Sequence, residues 1–202
     1  MNMMFLDPDK TLQTCKEESC LGCKAADKLV CHFKGKQLFV FLLLNIPLFF
    51  SAGYVIFKYN PFLLIPWTIL IISYFGLIEI RVMCSHCPHY AESETKSLKC
   101  WANYGSPKLW KYRPGPMSIL EQIIFISGLL LILLLPVVLL IIQQSFIFLS
   151  LYVVLLIAWK IGLRSLYCKH CINFACPFNA VDDETRNVFF EKNPIVKKAW
   201  KK

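Results

Sequence analysis

Four long apolar blocks dominate the chain. They cover residues 38–57, 62–80, 119–142 and 146–163, and they are separated in turn by a short polar turn, a long polar segment and a second short turn. Each block holds 18 to 24 residues. At 1.5 Å rise per residue, about 20 residues cross the roughly 30 Å hydrocarbon core of a bilayer. Asn45 is the one strongly polar interruption of the first block, and Glu79 stands at the end of the second. None of the four shows the polar face that a helix of this length keeps in a water-soluble protein. The first block begins far from residue 1, is too long for the apolar region of a cleavable leader, and lacks a small-residue cleavage site.

The pattern predicts an all-α integral membrane protein. Its four transmembrane helices form two repeated hairpins, with cysteine-rich cytoplasmic segments. Five segments follow: a Cys-rich N-terminal segment (1–37), transmembrane hairpin 1 (38–80), a Cys-rich central segment (81–118), transmembrane hairpin 2 (119–163), and a Cys-rich basic C-terminal segment (164–202). The turns 58–61 and 143–145 are tight, so the helices of each pair are expected to be antiparallel neighbours. Composition agrees: 56% of residues are hydrophobic, mean hydropathy is +0.52, and charged residues make up 17%, against about 25% in soluble domains.

Charge sets the expected orientation. Of 22 Lys and Arg residues, all but Lys58 lie in the polar segments or the adjoining helix ends. The positive-inside rule therefore places both termini and the central segment in the cytoplasm, for a multi-pass protein of the cell (inner) membrane. The net charge of +9 is accounted for by this bias and by anionic lipid, so nucleic-acid binding is not required. Ser118 precedes Glu121 by three positions after the break Pro114-Gly115-Pro116, which reads as a capping box at the start of the third helix. Trp101, Trp110 and Tyr112, mixed with Lys and Arg, suit a segment at headgroup level. The tail 187–202 carries Phe189, Phe190, Ile195, Val196 and Trp200 among lysines, which suits either an anionic membrane surface or a solvated basic tail.

All ten cysteines fall in the three polar segments and none in an apolar block. The first group is Cys15, Cys20, Cys23 and Cys31; the second is Cys84, Cys87 and Cys100; the third is Cys168, Cys171 and Cys176. A reducing compartment disfavours structural disulfides. C-x2-C spacing sets two thiolates around one ion, and thiolates take zinc, Cu(I) or iron–sulfur clusters. The first group reads C-x4-C-x2-C, the spacing of plant-type [2Fe–2S] ferredoxins, with Cys31 as a possible fourth ligand. The third ends in Cys176-Pro177, a partial match to the bacterial ferredoxin run.

The second and third groups resemble each other. Cys84-Ser-His-Cys87 and Cys168-Lys-His-Cys171 share the form C-x-H-C. Each follows the second helix of a hairpin, each has an Arg upstream (Arg81, Arg164), and each group contains Cys-Pro. This reads as a parallel internal repeat about an axis along the membrane normal. Two arrangements follow. Cys84, Cys87, Cys168 and Cys171 can share one site, or each group can keep its own cysteines, completed by His86, His89, His170 or a neighbour's thiol.

Three functions are weighed. The first is membrane-anchored iron–sulfur electron transfer, with clusters at the cytoplasmic surface passing electrons between a soluble donor and a membrane or protein partner. The layout resembles, in architecture, the four-helix, Cys-Pro-bearing iron–sulfur membrane proteins of nitrate and nitrous-oxide respiration, which implies exchange between quinol and redox partners. Those proteins carry C-x3-C-P, whereas four residues separate Cys171 from Cys176 and two separate Cys84 from Cys87. The second is a zinc-stabilised scaffold, since His32, His86, His89 and His170 lie beside the cysteines and zinc accepts both donors. The third, a soft-metal transporter, lacks intramembrane Cys or Met pairs. No His lies within an apolar block, so transmembrane bis-His haem is excluded. There is no intramembrane acidic relay, no nucleotide loop and no catalytic dyad. Oligomeric state is open, because four helices can close a bundle alone.

Overall fold

The computed structural model describes residues 11–201, and among these it contains helices and no strand beyond one isolated bridge, Ser97–Pro107. The helices are α1 (Lys24–Lys28), α2 (Gly35–Tyr59), α3 (Leu64–Ser73), α4 (Glu79–Val82), α5 (Pro88–Ala91), α6 (Ile119–Ile142), α7 (Phe146–Leu166), α8 (Asp183–Lys192) and α9 (Pro194–Trp200). A π turn, Tyr74–Ile78, joins α3 to α4. With the 3-10 turns Pro61–Leu63 and Cys84–His86 these make one continuous rod, Pro61–His86. The rod, α2, α6 and the run Phe146–His170 are four helices long and apolar enough to cross a membrane. The chain is an all-helical, multi-pass membrane protein.

The helices run further than the apolar blocks suggest. The second and fourth end at His86 and His170 rather than at residues 80 and 163. Hydropathy marks where lipid stops, whereas backbone hydrogen bonding carries each helix on into its C-x-H-C motif. That motif is therefore the last turn of the helix.

Much of the bundle's side-chain surface faces outward, as lipid-facing helices require. Phe50, Phe62, Ile119 and Ile147 are among the most exposed residues. Close approach is made by small residues. A Cβ on Gly128 would lie 2.3 Å from Tyr74 Cε2, and one on Gly162 would lie 2.9 Å from Leu44 Cδ1. Polar groups inside the bundle are paired. Tyr74 Oη donates to the Phe125 carbonyl at 2.5 Å, Trp67 Nε1 to the Ile132 carbonyl at 3.3 Å, and Tyr152 Oη to the Leu133 carbonyl at 3.2 Å. Asn45 is matched across the bundle by Trp159, whose Nε1 donates to Asn45 Oδ1 at 3.0 Å.

The expected capping box is present: Ser118 Oγ accepts from Glu121 N, and Ser118 N donates to Glu121 Oε2 at 2.9 Å. Glu121 also does something spacing did not reveal. It meets Arg113 Nη1 at 2.6 Å, Arg81 Nη1 at 3.6 Å and His86 Nε2 at 3.5 Å. One carboxylate thus ties the start of α6 to the central segment and to the end of the second span.

The three polar segments fold together at one end of the bundle. Most apolar residues of the C-terminal tail find protein partners, while Ile195 stays exposed. Phe189 and Val196 are almost fully buried, in a cluster with Leu12, Leu29, Cys31, Cys87, Ile172 and Phe174. Thr14 Oγ1 donates to Asn193 Oδ1 at 2.7 Å, and Lys192 Nζ pairs with Glu17 Oε1 at 2.8 Å. The tail therefore covers the N-terminal cysteine segment.

Candidate metal centre

The two C-x-H-C motifs adopt the same backbone path. Met83 and Tyr167 precede them at φ/ψ of −118/−55° and −127/−52°, each motif opens with a 3-10 turn, and Cys87 and Cys171 close them at −75/138° and −83/128°. Their histidines act alike as well. His86 Nδ1 hydrogen-bonds the Gly115 carbonyl at 3.1 Å, and His170 Nδ1 hydrogen-bonds the Lys28 carbonyl at 2.8 Å. Each imidazole pins a different polar segment against its helix end. Val30 N donating to the His170 carbonyl at 2.8 Å completes the second anchor.

Between the motifs lies a cavity of about 80 Å³, several times the roughly 10–15 Å³ that a single water needs. Its wall brings together all six cysteines of the second and third groups: Cys84, Cys87, Cys100, Cys168, Cys171 and Cys176. His89, Asn103, Asn173, Asn179, Leu98 and Trp101 complete much of the lining. His86 and His170 do not belong to it. The two groups meet across the bundle, and each brings its third cysteine to the same wall. The asparagines were not foreseen. Asn103 lies in the central loop, and Asn173 and Asn179 follow Cys171. Asn179 Nδ2 donates to the Cys171 and Asn173 carbonyls at 2.8 and 3.1 Å, closing the loop around Cys176.

Thiolate charge is expensive in this wall. Burial pushes the Cys171 thiol well up, and negative charge on Cys87, Cys100 and Cys176 adds to it. Burial raises Cys87 and Cys100 in the same way, and it pushes Cys176 up to about 12. Such thiols stay protonated unless a cation takes the charge, and a coordinated metal does that outright. Among the described residues, no group of three or more His, Cys, Asp and Glu side chains is drawn together as a site for one metal ion. A tetrahedral zinc with Zn–S near 2.3 Å needs sulfurs about 3.8 Å apart. Beside these soft sulfur donors the wall carries His89 and Asn173, whose Nδ1 and Oδ1 are buried without a hydrogen-bond partner.

The first group forms its own neighbourhood. Burial pushes the Cys31 thiol up to about 12, with Cys20, Cys23 and Cys15 contributing in that order. Cys20 Sγ lies 4.0 Å from His32 Nε2. The two neighbourhoods are joined, because Cys31 and Cys87 belong to one apolar cluster and Cys15 and Cys23 pack against it.

All ten cysteines are free of disulfides. No family model, curated protein or solved structure matches the chain. What the fold defines is the class, a four-span helical membrane protein with its cysteines gathered at one end of the bundle.

Proposed function

We propose that this protein is a membrane-anchored iron–sulfur electron-transfer protein. It holds one centre in the six-cysteine cavity and a second among Cys15, Cys20, Cys23 and Cys31. The observation that carries the reading is the convergence of six thiols from two separate segments on one cavity. Bound clusters would supply one-electron transfer. The chain's part is to hold them, exclude water with Leu98 and Trp101, and keep the two centres close enough to exchange electrons. The matched backbone of the C-x-H-C motifs supports two repeated hairpins, each delivering one motif to the shared cavity. The positive-inside bias supports a cytoplasmic position for the cysteine end, in the cell (inner) membrane. Electrons would pass there between a soluble donor and a membrane or protein partner.

A zinc-stabilised scaffold is the second reading, favoured by the Cys20–His32 contact at 4.0 Å. Iron, acid-labile sulfide and zinc analysis of anaerobically purified protein, with EPR of the reduced sample, separates the two. Iron and sulfide with an EPR signal are expected. Stoichiometric zinc without iron would overturn the electron-transfer reading.

A further inference from the structure

The two hairpins settle their end charges differently. In the first, Arg81 lies three residues before Cys84 and meets Glu121, the third residue of α6, at 3.6 Å. In the second, Arg164 lies four residues before Cys168. The two motifs share one backbone path, and one extra residue is about 100° round a helix. The offset turns Arg164 onto the outer face of α7, where it is exposed. Nor does a carboxylate stand at the matching helix start. Tyr167 Oη donates to the Gln37 carbonyl at 2.8 Å, so α2 begins against the end of α7 as α6 begins against the end of the rod. The third residue of α2 is Gln37, and the first turn of that helix holds no acidic side chain. Gln37 Oε1 is buried without a hydrogen-bond partner. Among the described residues, no ion pair reaches Lys160 or Arg164.

Lys160 is exposed as well and stands four residues before Arg164, a spacing that sets two side chains one above the other on a helix face. That face is the barest of the bundle, since Tyr152 is the one buried residue of α7. Ile157 and Ile161, beside the two cations, are 54% and 60% exposed. Lys160 lies about 9 Å inside the end of the helix, and a lysine stem carries its ammonium from that depth out to headgroup level. We propose that this face of α7 binds an anionic phospholipid, with the headgroup phosphate held by Lys160 and Arg164 and an acyl chain along Ile157 and Ile161. The lipid gives the second hairpin the counter-charge that Glu121 gives the first. A second copy of the chain is the poorer occupant. Two chains paired along α7 about a twofold axis would bring these cations against their own counterparts. The assignment does not depend on what the cysteines hold.

The test uses full-length protein in phosphatidylcholine vesicles carrying a trace of spin-labelled phosphatidylglycerol or spin-labelled phosphatidylcholine. EPR reads the motionally restricted fraction of each label. Wild type should restrict phosphatidylglycerol more strongly than phosphatidylcholine. K160Q and R164Q should each weaken phosphatidylglycerol binding about fivefold, the worth of one cation near an anionic surface, and the double variant should remove most of the preference. K111Q and K198Q, which take away exposed lysines of the polar segments, should leave it unchanged. Equal restriction of the two labels by wild type would overturn the proposal. So would a preference that K111Q or K198Q lowers as far as K160Q does, because the basic surface as a whole would then be the attraction. Light scattering in neutral detergent reads the other occupant: a wild-type dimer that Ile161→Trp makes monomeric would place a second copy on the face and sink the lipid site. The wild-type spectra need no substitution, so a variant that fails to fold leaves the proposal open to refutation.

Discussion

Asn103 Nδ2 donates a hydrogen bond to Cys84 Sγ at 3.3 Å. The same amide hydrogen-bonds the Glu79 side chain, so one asparagine links the buried end of the second span to the wall of the cysteine cavity. Hydrogen bonds to ligand sulfurs raise a cluster's potential by stabilising the more negative state. Asn103→Leu should retain iron and lower the potential of the cavity centre by tens of millivolts, since about 1.4 kcal/mol corresponds to 59 mV for one electron. Redox titration followed by EPR checks this, and an unchanged potential would show that Cys84 is not a ligand.

The ten thiols should behave as two sets. Cys31→Ser or Cys20→Ser should remove one EPR signal and roughly half of the iron, leaving the cavity signal in place. Cys171→Ser should remove the other. Loss of both signals from Cys20→Ser would show that the segments form a single centre.

Glu121 joins α6 to Arg113, Arg81 and His86 while serving its own capping box. Glu121→Gln keeps part of the cap and loses the charge. It should cost about 1–3 kcal/mol, the usual worth of charge-assisted hydrogen bonds. A lowered thermal midpoint in detergent, with little effect from the neighbouring Gln122→Ala, is the expected result.

Close packing at Gly128 makes a sharper demand. Gly128→Ala places a methyl 2.3 Å from the Tyr74 ring, an overlap costing about 1–3 kcal/mol. Tyr74→Ala alone should also destabilise. Adding Gly128→Ala to it should cost almost nothing more, and thermal unfolding of the four proteins reads this coupling.

Burial holds the His89 imidazole down to about 4, whereas an unfolded histidine titrates near 6.5. Between those values the unfolded chain binds the extra proton, so stability rises with pH in that window and falls as the solution is acidified through it. In metal-free protein the loss between about pH 6.5 and pH 4 should reach up to roughly 3 kcal/mol, and His89→Gln should flatten it. Chemical unfolding across pH, followed by tryptophan fluorescence, measures the slope.

Spans and hairpins were legible because lipid imposes a demand that composition alone can reveal. Residues 119–142 could be assigned without reference to any partner. The capping box at Ser118 was legible because it is local. The joining of Cys84 to Cys168 was legible as a possibility through the repeated C-x-H-C form, although the alternative of separate sites stood beside it. Long-range partners were not legible. Nothing in the spacing singles out His89 from His86 and His170, because which of the three lines the cavity depends on how distant segments fold together. The tail's burial over Phe174 and Ile172 was equally hidden. Aromatic residues among lysines read the same whether they face lipid or a fold assembled from distant segments.

The π turn at Tyr74–Ile78 has a mechanical consequence. It holds one residue more than a regular helix would fit in that length. Regularising it without a deletion would advance everything beyond it by one helical step, about 1.5 Å along and about 100° round the axis. Glu79 would swing toward lipid, and Cys84 would leave the arc it shares with Cys168. The turn acts as a phase adjuster for the second span. It lets the lipid-facing half of the rod and its sulfur-bearing tip each keep their own angular setting, so a one-residue deletion within Tyr74–Ile78 should disturb the cysteine cavity less than one placed in α3 or α4.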